Sequence, residues 1–135
     1  MSPDQWVNKY FGKEFFSGEF SRLKKVVHDL DLAPSEKQQV ITIAGTNGKG
    51  QTSRMLCALL GREAVNFCLW TSPHLVRINE RFIFNGNEVD DETLFKCFVE
   101  IYEQTKDLKL SYFEFLYITF LQLVKTKSPD VIVQE

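Results

Sequence analysis

The sequence predicts an α/β fold, a parallel sheet with flanking helices, and three observations carry that prediction. Short β-branched runs recur at "QVITIAG", "VNFCLWTS" and "PDVIVQE", as in strands buried within a sheet. Between them lie longer stretches whose apolar residues return at helical spacing, and the order strand, helix, strand, two helices, strand fits the crossovers of a parallel sheet. Finally, Gly45, Gly48 and Gly50 crowd around Lys49 between the first strand and the helix after it.

In chain order, residues 18–31 place Phe20, Leu23, Val26, Val27 and Leu30 at helical spacing, and "APSEKQ", with Pro34, ends the pattern. "QVITIAG" follows as a buried strand. From Gln51 onward, Met55, Leu56, Leu59 and Leu60 recur as one face of a helix. "VNFCLWTS" is the second strand. "RFIFNGNEV" carries Asn85-Gly86 between two short extended runs, a hairpin signal. Residues 91–106 form an amphipathic helix through Leu94, Phe98, Ile101 and Tyr102, with Asp90 or Asp91 as cap. A further helix starts at Ser111, where "SYFE" has the spacing of a capping box, and runs to about Lys125. It is apolar almost all round and should be buried. "PDVIVQE" opens a third strand. A strand this apolar is normally interior and followed by a crossover, so residues 1–135 read as the N-terminal piece of a longer protein.

Composition narrows the class. A chain of 135 residues fits one domain, and 44% apolar with 25% charged residues suits a soluble globular protein. Twelve phenylalanines point to a well-filled interior or an aromatic ligand pocket. A net charge of −2 gives no reason to expect nucleic acid or an anionic membrane as partner, so any anion must be held by a local site. Cys57, Cys68 and Cys97 are widely spaced among apolar residues and read as reduced core thiols, neither a disulfide framework nor a zinc site. The N-terminus lacks the apolar core of a signal peptide, and no run is long enough to span a bilayer. The expected compartment is the cytoplasm.

The glycine cluster has the setting of a phosphate-binding loop, after a strand and before a helix. Glycines let backbone N–H groups converge on an oxyanion, and the helix start adds unpaired donors and partial positive charge. Lys49 can reach the β- and γ-phosphates. The alternative is an ordinary glycine-rich turn with a surface lysine. The fold class is therefore a P-loop nucleotide-binding domain. In the standard loop a Ser or Thr for Mg²⁺ follows the lysine directly; here Gly50 and Gln51 come first and Thr52 next.

"GTNGKG" resembles the phosphate loop of ligases that join amino acids to carboxylates: the Mur ligases and the folylpolyglutamate/dihydrofolate synthases. The glycine after the lysine is the folate-enzyme form. "TSPHLVRINERF", residues 71–82, is similar to the TSPHL…ER segment of the folate enzymes. "LSYFEFLYITF" looks like their T-x-F-E helix start, and "PDVIVQE" resembles their strand ending in a metal-binding glutamate. These four segments cover most of residues 41–135. "SGEFSRLKKV" stands where the family has a Gly-Leu-x-Arg helix start, with Arg22 as anchor. The family usually carries Ser or Thr where this chain has Gln51, a place that Thr52 could fill only if the helix start shifted slightly.

The resemblance implies roles residue by residue. Gly45, Thr46, Asn47, Gly48, Lys49, Gly50, Gln51 and Thr52 would hold the ATP phosphates, with Lys49 the catalytic residue. Ser72 and Glu135 would be Mg²⁺ ligands; by themselves they read as a turn residue before Pro73 and a chain end. Pro73, His74, Arg77, Glu80 and Arg81 would form a loop over the pterin and its carboxylate tail, against the alternatives of a packed histidine and a solvated charge run. Ser111, Tyr112, Phe113 and Glu114 match the pteroate-binding turn, Phe113 or Tyr112 stacking on the ring; the plain alternatives are core aromatics and a helix cap. Phe16, Ser17 and Gly18 correspond by position to another pteroate contact.

The implied chemistry follows from the substrates. A carboxylate does not react with an amine directly, because its leaving group is poor and its charge repels the nucleophile. Transfer of the γ-phosphoryl group of ATP makes an acyl phosphate that the amine of L-glutamate can attack. The family reading is thus an ATP- and Mg²⁺-dependent ligase acting on dihydropteroate or folate, monomeric at full length. The glutamate-binding domain would lie outside residues 1–135, and this piece alone is expected to be inactive. A Mur-type ligase and a non-catalytic nucleotide-binding module are the competing readings.

Overall fold

A computed structural model describes residues 1–12 and 21–135. They fall into two compact units, residues 1–33 with 91–126 and residues 34–90 with 127–135.

The second unit is built on one five-stranded sheet: β1 (Gln39–Thr42), β2 (Phe67–Trp70), β3 (Phe82–Phe84), β4 (Asn87–Glu88) and β5 (Val131–Gln134), in the order β1-β5-β2-β3-β4. β5 runs parallel to both neighbours, Val133 lying opposite Ile41 on one side and Leu69 on the other. The expected parallel sheet is thus its central part. The hairpin extends it antiparallel through β3, which makes the whole sheet mixed. Asn85 (φ 52°) and Gly86 (φ 82°) both sit left-handed, as a type I′ turn demands. Asn85 also accepts a hydrogen bond from the Phe67 N–H through Oδ1 at 2.9 Å, tying the turn to the start of β2.

α3 (Lys49–Arg62) lays Leu56, Cys57 and Leu60 against Phe67, Leu69, Val131 and Val133 of the sheet. Met55 and Leu59, expected on the same face, are instead 69% and 57% exposed. Each residue turns a helix by about 100°, so a stripe that includes both members of each doublet is too wide for one flat contact. A second correction concerns β1, expected as a buried strand. It is the sheet edge, its pattern is mostly exposed, and Val40 keeps 45% of its surface. The interior place goes to β5, whose Val131, Ile132 and Val133 are buried.

The first unit is helical: α1 (Pro3–Phe11), α2 (Ser21–Asp29), α4 (Asp91–Thr105) and α5 (Tyr112–Lys127). α2, α4 and α5 lie within or close to the predicted spans, whereas α1 is absent from the sequence reading. Its signal is present in the Ser2-x-x-Gln5 box around Pro3. Gln5 N–H donates to Ser2 Oγ at 3.2 Å and Ser2 N–H to Gln5 Oε1 at 2.9 Å, and the helix stops at Gly12 (φ 68°). α1 brings Trp6 onto Phe98 (5.6 Å between centroids) and Phe115 (5.8 Å), while Phe11 stacks on Phe115 at 4.3 Å. In this cluster the aromatic residues serve as interior. α5 is buried along most of its length, as its composition predicts.

All three cysteines are free thiols, and burial pushes Cys68 and Cys97 up to about 12. Among the described residues no helix is long and apolar enough to cross a membrane.

Trp6 is 6% exposed and Tyr10 43%. Trp6→Ala should therefore cost about 3–5 kcal/mol in urea unfolding, with Tyr10→Ala nearer 1 kcal/mol.

Candidate functional site

The loop between β1 and α3 opens where Ile43 N–H still reaches Gln134 O at 2.8 Å, so the ladder holds its first residue in place. Gly45 (φ 144°) and Gly48 (φ 77°) take conformations that side chains resist. Gly48 is the N-cap of α3 and offers no side-chain acceptor. The first helical bond runs from Thr52 N–H to Gly48 O at 3.0 Å. The N–H groups of Lys49, Gly50 and Gln51 precede it and lack an intrahelical acceptor. Thr46, Asn47, Gly50, Gln51 and Thr52 are exposed and Lys49 is half-buried. The Lys49 ammonium forms no ion pair among the described residues. Gly50 has neither a positive φ nor a crowded position, since a Cβ there would meet nothing within 4 Å. Nothing described in this unit requires it to be glycine.

Glu135 follows β5 and points its carboxylate at two hydroxyls. Thr71, just after β2, donates to Oε1, and Ser53 Oγ lies 2.8 Å from Oε2. The Glu135 N–H bonds Trp70 O at 3.2 Å, which fixes the backbone beside β2. No cationic side chain pairs with this carboxylate among the described residues. Of the two hydroxyls in the first turns of α3, that of Thr52 is exposed, and it is Ser53, 1% exposed, that meets the glutamate. The available signal was position: Ser53 sits four residues after Lys49, one turn along the same side. Ser72 is half-buried next to Thr71 and precedes a cis peptide bond to Pro73. The hydroxyl that touches Glu135 on this side is that of Thr71.

Residues 74–81 fold as a self-bonded loop rather than a solvated charge run. Glu80 accepts from three successive backbone N–H groups, Leu75, Val76 and Arg77, each at 2.8 Å. These bonds, Leu75 first, hold the Glu80 carboxyl well below its ordinary 4.5, at about 2. Arg81 is 1% exposed and its Nε donates to His74 Nδ1 at 2.9 Å. Arg77 pairs with Glu88 at 3.0 Å, whereas the side chains of Leu75 and Val76 are 86% and 85% exposed. Beside this loop a groove of about 620 Å³ runs over Arg54, Cys57, Leu69, Ile83 and Thr71.

Ser111, Tyr112, Phe113 and Glu114 belong to the helical unit. The capping box forms as expected, Glu114 N–H to Ser111 Oγ at 3.2 Å and Ser111 N–H to Glu114 Oε1 at 3.1 Å. Arg22 joins it, pairing with Glu114 Oε1 at 3.1 Å and Lys109 O at 2.9 Å. Glu114 Oε2 and Arg22 Nε are buried with no hydrogen-bond partner among the described residues. Tyr112 is buried in the core; Phe113 is half-buried and lies nearly parallel to Tyr117, 6.3 Å between centroids. Phe16, Ser17 and Gly18 lie outside the described residues.

The Glu80 cup titrates in a defined direction. Its folded-state pKa of about 2 lies below the ordinary 4.5, so its contribution is full above pH 4.5 and is lost as pH falls toward 2. Hydrogen exchange at the amides of Leu75, Val76 and Arg77, corrected for intrinsic rates, should stay protected at pH 5, weaken progressively below about 4.5 and lose its protection only as pH approaches 2. Glu80→Ala should abolish the protection at every pH.

No family model matches the chain. A dihydrofolate synthase/folylpolyglutamate synthase from Haemophilus influenzae is 38% identical over 134 residues, covering 97% of this chain and 30% of that protein. A solved bifunctional folylpolyglutamate synthase/dihydrofolate synthase with Mn, AMPPNP and L-glutamate bound has the same fold, with a TM-score of 0.88 and 33% identity. It is covered over 100% of this chain and 33% of its own. E. coli FolC in complex with DHPP and ADP gives a TM-score of 0.88 at 31% identity, with 100% and 33% covered. The chain thus spans about a third of the length of the relatives it matches. Alike to these proteins in sequence and in backbone from one end to the other, it belongs to the dihydrofolate synthase/folylpolyglutamate synthase family.

Proposed function

We propose that residues 1–135 are the N-terminal part of the ATP-binding domain of a ligase that adds L-glutamate to dihydropteroate or a folate. The observation that carries this reading is the uncapped start of α3, where Gly48 is left-handed, three N–H groups lack helical acceptors and Lys49 has no ion pair among the described residues. A donor cluster with partial positive charge and a free ammonium suits nucleotide phosphates. The relatives solved with AMPPNP, ADP, Mn, L-glutamate and DHPP supply the ligand classes. In this reading Gly45, Thr46, Asn47, Gly48, Lys49, Gly50, Gln51 and Thr52 hold ATP. The glutamate-binding domain lies beyond these residues. The enzyme is a cytoplasmic monomer with small-molecule substrates; its net charge of −2 gives no support for a nucleic-acid or membrane partner.

The donor set suits a divalent cation. Glu135 is a carboxylate compensated only by hydroxyls among the described residues, and it stands within hydrogen-bond reach of the first turns of α3. Beside phosphates such a charge would repel them unless a cation lay between. One carboxylate, a hydroxyl and phosphate oxygens suit Mg²⁺, which keeps several waters. Ser72 and Glu135 would hold it, and there it would neutralise charge on the β- and γ-phosphates. Lys49 and the loop amides orient the γ-phosphoryl group and stabilise the charge that builds up in its transfer to the acceptor carboxylate. For the acceptor, Pro73, His74, Arg77, Glu80 and Arg81 are the proposed loop contacts. In the helical unit, the half-buried ring of Phe113 offers a stacking face, with Ser111 and Tyr112 in the same turn and the spare acceptor Glu114 Oε2 one residue on.

Two substitutions in the intact protein test the phosphate loop. Lys49→Ala should weaken ATP binding in calorimetry about 10- to 100-fold, the scale of a charge-assisted bond; unchanged affinity would sink the reading. Gly50→Ala should raise unfolding stability by roughly 0.5–1 kcal/mol, because alanine is the better helix former and has room. If phosphate packs against the backbone at position 50, the added methyl should at the same time weaken ATP binding.

A further inference from the structure

Ser53 has a role that neither its burial nor its place in a helix explains. Its Oγ lies 2.8 Å from Lys49 O, the ordinary back-bond of a helical serine, and also 2.8 Å from Glu135 Oε2, eighty-two residues on. A hydroxyl has one proton, so it serves one acceptor at a time. Lys49 O is the less demanding of the two, because a backbone carbonyl is neutral and already faces the helical N–H one turn on. A carboxylate, by contrast, binds a hydroxyl proton strongly and loses much when left without donors.

From this we infer that Ser53 is the positioning residue for the Glu135 carboxylate. With Thr71 on Oε1 and Ser53 on Oε2, donors from two different elements hold both oxygens and fix the plane of the group. Each oxygen has a second lone pair, so the carboxylate can be held from behind while it faces a divalent cation. The Lys49 carbonyl gives the Ser53 proton a second acceptor, so the hydroxyl can turn away as a cation draws on Oε2 and no polar atom is stranded. The same serine therefore links the residue that begins α3 to the carboxylate after β5. Partners of this kind set ligand orientation, and their removal typically lowers metal affinity about 10- to 100-fold.

This inference rests on the reading of Glu135 as a cation ligand, and the test keeps the two apart. The measurement is Mn²⁺ binding to the intact protein with saturating ADP, followed by the electron paramagnetic resonance of free Mn²⁺, beside ADP affinity in EDTA. Ser53→Ala and Ser53→Cys are compared; cysteine keeps the volume of the buried side chain but donates only weakly. Both variants should raise the Mn²⁺ dissociation constant about tenfold or more, with metal-free ADP affinity within about twofold of the parent. Parent-like Mn²⁺ affinity in Ser53→Cys would overturn the proposal, because packing alone would then account for Ser53. So would an equal loss of metal-free ADP affinity, which would mark a general defect of the loop. Glu135→Gln decides the underlying reading: if it leaves Mn²⁺ binding unchanged, Glu135 is not a ligand and the inference falls with it. If Glu135→Gln abolishes binding while both Ser53 variants bind normally, only the positioning role is refuted.

Discussion

When β5 pairs in parallel with β1 on one side and β2 on the other, three strands finish at the same edge of the sheet. The three parts of the candidate site in this unit depend on that ladder. The loop after β1, Thr71 after β2 and Glu135 after β5 are remote in sequence, yet shared register sets them side by side. Hydrogen bonds at the ends of the ladder, Ile43 N–H to Gln134 O and Glu135 N–H to Trp70 O, carry the alignment past the last paired residues. The core of Phe67, Leu69, Val131 and Val133 beneath α3 keeps that register, because a slip by one residue would turn these side chains to the opposite face.

Charge is handled in two contrasting ways. Around Glu80 and Arg81 the chain satisfies its ionised groups from within: three backbone amides for the carboxylate, and the His74 ring for the buried guanidinium. Glu114 and Arg22 are likewise tied to each other, with one atom of each left over. At the start of α3 the opposite holds. The amides, the Lys49 ammonium and the Glu135 carboxylate are left without an ionic partner among the described residues. Self-satisfied charges build shape, whereas unsatisfied ones await something else.

What the sequence disclosed was what neighbouring residues decide. The Asn85-Gly86 turn, the capping box from Ser111 to Glu114, the strand cores and the strand–loop–helix context of Lys49 are each set by a few adjacent side chains. What it concealed was set by strand order and by contacts across the chain. Val40 looks like core until β1 proves to be an edge, and Met55 looks like core until the width of the contact with the sheet is known. Ser53 is undistinguished among helix residues, since its partner lies eighty-two residues away. The loop from His74 to Arg81 sits between these cases: its bonds are local, but nothing in its composition separates a carboxylate cupped by amides from one in solvent. α1 was legible through Ser2, Pro3 and Gln5, and only the brevity of its apolar pattern hid it.

The left-handed glycine that starts α3 carries a consequence for the energetics of the whole unit. A serine or aspartate in place of Gly48 would satisfy one of the amides and steady the helix, although the positive φ opposes it. By going without that bond the chain leaves part of its stability in the hands of whatever binds there. Anything that engages those amides only in the native state adds RT ln(1 + [L]/Kd), about 2.7 kcal/mol at a hundred times the dissociation constant. Against a total of about 5–15 kcal/mol for a typical domain, that is a substantial share. Occupancy and survival are thereby thermodynamically linked: where such a ligand is scarce, more of the protein stands open to unfolding and degradation, and where it is plentiful the fold is held shut by what it binds.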